Sequence, residues 1–140
     1  MEKIDAESAG VRWIEPETFV ETPAEAEVIL RRERQKLKET AASVVDADKN
    51  KLRTAGTSLL RLRPKVTAAA RVFQEGPEAL FLGPKVDATL AAIDTADLAI
   101  GYVLRADKPT FVDVISVIDA LNSAEKDFDS LLTSVHKIAR

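Results

Sequence analysis

The sequence predicts an all-α fold, an antiparallel four-helix bundle preceded by an extended N-terminal arm. Three observations lead there. Apolar residues recur at spacings of three, four and seven along most of residues 23–140, the period of a helix with one buried face. Hydrophobic residues make up 46% of the chain and aromatics only 5%; Ala, Val and Leu dominate, which favours packed helices over a sheet sandwich. Proline, glycine and aspartate then divide the periodic run into four regions with short connectors, so that neighbours in sequence become antiparallel neighbours in space. At 140 residues the chain has the length of one domain and can bury a sizeable core.

Residues 1–22 form the arm, since they carry no helical period and contain Gly10 and Pro16. Val11, Trp13, Ile14, Phe19 and Val20 cluster within it, and a tryptophan is rarely left in water. Trp13, Ile14 and Phe19 are therefore candidate docking residues, either over the end of their own bundle or on a partner chain. The bundle domain is residues 23–140.

Helix 1 opens with Thr22 as N-cap, Pro23 at the first helical position and acids in the first turn, and it runs to about Val45. Its stripe is Ala26, Leu30, Leu37, Ala41 and Val44, thin in the middle where the charged run from Arg31 to Lys36 interrupts it. Asp46 to Asn50 break the helix. Asp46, Asp48 and Asn50 supply oxygens at the first, third and fifth positions of a calcium loop, but Lys51 replaces the turn glycine and Thr57 the bidentate acid. A helix cap and turn account for them instead, and no metal site is assigned.

Helix 2 carries the clearest stripe: Leu52, Ala55, Leu59, Leu62, Val66, Ala69 and Phe73. The phase survives Pro64, which predicts a kink and not a stop; Glu75, Gly76 and Pro77 end the helix. Glu78 to Leu82 form a connector with room for one extra turn before Gly83 and Pro84 open helix 3. Helix 3, over Gly83 to Leu104, is the expected central element, with Val86, Leu90, Ile93, Ile100 and Leu104 on one stripe and Thr89, Ala92, Ala96, Ala99 and Val103 on a second. Asp87, Asp94 and Asp97 within it are costly in hydrocarbon, so no membrane span is expected. Pro109 opens the last region. There Phe111, Ile115, Ile118 and Leu121 precede Phe128, Leu131, Leu132, Val135 and Ile138, with a shift of phase at Asn122 and Ser123. One long bent helix fits, as does a break into two that makes five helices.

Several function classes are excluded. There are no cysteines and only one histidine, His136, so disulfides, thiolate metal sites, cysteine nucleophiles and two-histidine sites are absent. Ser134 lies two residues from His136, off its helical face, and no glycine-rich phosphate loop surrounds Gly56. No catalytic constellation, cofactor site or metal site is found, and the acidic start without an apolar run predicts a cytoplasmic chain.

Charge is unevenly distributed. Residues 1–30 hold 2 basic and 8 acidic side chains, residues 31–71 hold 12 and 4, and residues 72–140 hold 6 and 11. Arg31, Arg32, Arg34, Lys36 and Lys38 on helix 1 with Arg61, Arg63 and Lys65 on helix 2 are the candidate basic face. Asp97 is the candidate buried acid, because its spacing from Ile93, Ile100 and Leu104 sets it on the apolar stripe.

The leading expectation is a non-enzymatic interaction or assembly module working through protein–protein contacts, with self-association or a protein partner. Two alternatives stand beside it. One takes the basic face to nucleic-acid phosphates without base readout; the other is a ligand-binding bundle with Asp97 lining an internal pocket.

Overall fold

The computed structural model describes residues 22–74 and 78–139. They form four helices, α1 (Pro23–Ser43), α2 (Lys49–Gln74), α3 (Ala79–Leu104) and α4 (Phe111–Ala139). The candidate docking residues Trp13, Ile14 and Phe19, and the expected helix stop at Glu75, Gly76 and Pro77, lie outside the described residues. Among those described, no helix is long and apolar enough to cross a membrane.

The helices form a closed ring in which α1 packs on α2 and α4, and α3 on the same two. Cross-seam contacts give the direction. Glu27 meets His136 and, further along α1, Arg34 meets Asp129 earlier in α4; Lys85 meets Ser130 and Thr89 lies beside Asp127 on the α3/α4 seam. Numbers rise on one helix as they fall on the other, so these neighbours are antiparallel. The ring also removes any special place for α3, which is one of four walls and not a hub.

Each wall contributes a stripe that alternates steps of three and four residues. On α2 it is Leu52, Ala55, Leu59, Leu62, Val66, Ala69 and Phe73, as its sequence predicts, and all are buried. On α3 it is Leu82, Val86, Thr89, Ile93, Ala96, Ile100 and Val103, and on α1 it is Ala26, Leu30, Glu33, Leu37, Thr40 and Val44. This is the knobs-into-holes spacing of up-and-down bundles.

The start of α1 is capped from both sides. The Thr22 hydroxyl accepts from the Glu25 N–H and the Glu25 carboxylate accepts from the Thr22 N–H, each at 3.2 Å. The helix ends at Ser43, two residues before the expected stop, because Val44 turns extended and returns its N–H to the Ala41 carbonyl. Asp48 then caps α2, its Oδ1 accepting the Asn50 N–H at 2.8 Å.

Two differences from the sequence reading concern proline and phase. Ala79 to Leu82 of the expected connector belong to α3, which Glu78 caps and which carries Pro84 inside it. The Glu78 carbonyl accepts from the Leu82 N–H at 2.8 Å, so the first turn closes before the proline, which frees only the carbonyl of exposed Leu80. By contrast, α2 continues through Pro64, as the unbroken phase of its stripe predicts. The last region is one helix in a single phase, with Val114, Val117, Leu121, Ala124, Phe128, Leu131 and Val135 buried. Phe111 and Ile115 are exposed. Their bulk suggested the stripe, but the continuous three-four alternation runs through the smaller Val114 and Val117.

Candidate functional site: the groove between α1 and α2

The eight residues of the candidate basic face divide among four places. Arg31 and Arg34 belong to the α1/α4 seam. Arg34 holds Asp129 with both arms of its guanidinium, at 2.7 and 3.0 Å, and lies 3.4 Å from Glu125. Arg63 turns to α3 and holds Asp94 in the same two-pronged way, at 2.6 and 3.0 Å. Lys36, Arg61 and Lys65 line a groove between α1 and α2. Arg32 and Lys38 are exposed on α1. Helical rotation explains the division: residues two apart on one helix, such as Arg61 and Arg63, point to different neighbours.

The groove has a volume of about 430 Å³. Hydroxyls of Thr40 and Ser43 on α1 and of Thr54 and Ser58 on α2 lie along it. Thr40, Ser43 and Thr54 donate to the carbonyls of Lys36, Thr40 and Asn50. Ser58, Arg61 and Lys65 have no side-chain partner among the described residues.

Glu33 is the anomaly in its lining. It is 0% exposed, yet neither carboxylate oxygen receives a hydrogen bond among the described residues. Lys36 approaches Oε2 to 3.5 Å as an ion pair without forming a hydrogen bond, and its own side chain is half-buried. A buried carboxylate left without donors costs about 1–3 kcal/mol or more. Sequence reasoning missed Glu33 by treating the charged run as an interruption of the α1 stripe. Its spacing was the available signal, since Glu33 falls between Leu30 and Leu37 on the same stripe.

Asp97 is not the buried acid. It is only partly buried and lines an open groove of about 420 Å³ on the outer face of α2 and α3. The core positions on either side of it are Ala96 and Ile100, which leaves Asp97 at the flank. In its lining Leu60 and Leu98 are 65% and 71% exposed, beside Gly56, Gly101, Arg53 and Arg105, and Tyr102, next to Gly101 in the chain, is 70% exposed.

His136 has a structural role that its terminal position concealed. Oε2 of Glu27 accepts from Arg31 Nη2 at 2.6 Å and lies 2.7 Å from Nδ1 of His136. An ionised carboxylate only accepts, so Nδ1 carries the proton between them. Chiefly through the hydrogen bond from Arg31, with His136 adding to it against the opposing effect of burial, the Glu27 carboxyl is held below its ordinary 4.5. A lowered folded-state value for an acid stabilises the fold above the unfolded value, and that contribution is lost as pH falls through the folded one. Urea midpoints measured from pH 6 down to about 3, across the carboxylate range, should therefore decline less steeply in Glu27→Gln than in the parent. Equal slopes would mean that Glu27 does not report on the α1/α4 seam.

No group of three or more metal-ligating side chains is present among the described residues. No protein-family model, curated protein or solved structure matches the chain.

Proposed function

We propose that this chain is a non-enzymatic helical-bundle assembly module that pairs with a second copy of itself through the outer face of α2 and α3. The observation that carries the reading is Gly101. A Cβ built there meets nothing within 4 Å among the described residues, so packing within the described bundle does not ask for glycine, while glycine in a helix costs about 1 kcal/mol relative to alanine. A close approach from outside does ask for it. Leu60, Leu98 and Tyr102 supply exposed apolar surface beside it. An antiparallel two-fold pairing of α3 with its copy, centred on Gly101, sets Arg105 against the second copy's Asp97, four residues on either side of the centre. Both signs of charge needed for self-complementarity are thus on one face.

Gly101→Ala separates folding from assembly. The monomer should gain about 1 kcal/mol, because the added methyl enters open space and alanine is the better helix former. Self-association, followed by sedimentation, should weaken at the same time. Leu98→Glu should leave a monomer. A parent chain that sediments as a monomer up to about 1 mM, where even an affinity near −4 kcal/mol would register, sinks the reading.

A further inference from the structure

The α1/α2 groove is separate from the proposed assembly face, and its lining includes a buried carboxylate, Glu33, that accepts no hydrogen bond among the described residues. We propose that it binds a small amino acid, with the ligand ammonium on Glu33 and its carboxylate on Arg61 and Lys65. The deepest requirement of the groove is for donors. Glu33 is fully buried, its two oxygens accept no hydrogen bond among the described residues, and a carboxylate has nothing to offer but acceptance. An ammonium group brings three donors and the opposite charge, and so supplies what the two oxygens lack.

The rest of the lining asks for an anion. Arg61 and Lys65 stand one helical turn apart on α2 and have no side-chain partner among the described residues. A guanidinium meets a planar carboxylate through two parallel hydrogen bonds, and a lysine one turn away adds a point charge. Lys36, Arg61 and Lys65 are opposed in the lining by Glu33 and Glu39, which leaves one positive charge over. An acidic amino acid, with one ammonium and two carboxylates, cancels it. The hydroxyls of Ser58 and Thr40 add polar contacts along the wall. At about 430 Å³ the groove falls within the range of small-molecule sites.

The test is a thermal melt of the full chain with millimolar L-glutamate, L-aspartate, L-lysine or glutarate, the last keeping both carboxylates and lacking the amine. Glutamate or aspartate should raise Tm by several degrees, and glutarate should not. Glu33→Gln should abolish the shift while melting at or above the parent without ligand, and Lys65→Ala should reduce it at least tenfold in apparent affinity. Calorimetric titration with the same compounds provides the second readout. No shift with either acidic amino acid, an equal shift with glutarate, or an undiminished shift in Glu33→Gln would each overturn the proposal.

Discussion

Glu33→Met should raise the stability of the fold by about 1–4 kcal/mol, the gain seen when buried ionic groups give way to apolar ones of similar volume. The reason is local. Glu33 occupies a core position of α1 between Leu30 and Leu37, is fully buried, and keeps only the long contact to Lys36. Methionine fills a comparable volume, adapts to irregular gaps and needs no donors. A urea titration should show the midpoint rising at unchanged slope, which marks a change of stability and not of compactness. A loss of stability instead would mean that Lys36 and the surrounding cations already compensate Glu33 in the folded protein. The same substitution should remove amino-acid binding, so the chain would exchange a ligand site for a better core, the usual relation between stability and function.

Phe128→Ala should cost about 3–5 kcal/mol, the range for truncating a buried aromatic residue. That is a large part of the 5–15 kcal/mol by which folded domains generally exceed their unfolded states. Phe128 and Phe73 are among the largest fully buried side chains, and Phe128 lies on the α4 stripe between Ala124 and Leu131. Phe111→Ala provides the contrast. At 58% exposure this residue should change stability by no more than about 0.5 kcal/mol. The pair of variants checks the phase of α4 directly, because a stripe through Phe111 and Ile115 predicts a substantial loss at both positions. A comparable loss at Phe111 would shift the buried face of the first half of α4 by one residue.

Most of the fold was legible because helical period, caps and breakers agreed with one another. Thr22 followed by Pro23 marked the start of α1, and the α2 stripe from Leu52 to Phe73 is buried throughout. What failed to show in the sequence has physical causes. Pro84 resembles a helix start, but a proline inside the second turn frees only one carbonyl near solvent, and the backbone bond from Leu82 to Glu78 had already begun the helix. In α4 hydrophobic bulk outweighed spacing, so Phe111 and Ile115 displaced Val114 and Val117 in the reading. The basic block was contiguous along the chain but divided across three seams, since Arg34 and Arg63 found Asp129 and Asp94 on other helices. The candidate site was hidden for the opposite reason. Glu33 lies in the middle of a charged run, and composition concealed a position that spacing alone would have assigned to the core.

The contact between Glu27 and His136, 2.7 Å apart, brings the start of α1 beside the end of α4. The gap between those two helices is therefore a fourth corner equivalent to the three that the chain already turns. A short linker from Ala139 to Thr22 would join them, and the chain could then be opened in the exposed turn at Asp46 without changing which helices are neighbours. In such a circular permutant α2 becomes the first helix and α1 the last, and the groove bearing Glu33 lies between the two ends. The order in which the walls are synthesised is thus independent of the order in which they pack, and the architecture is a ring that the polypeptide enters at one of four doors.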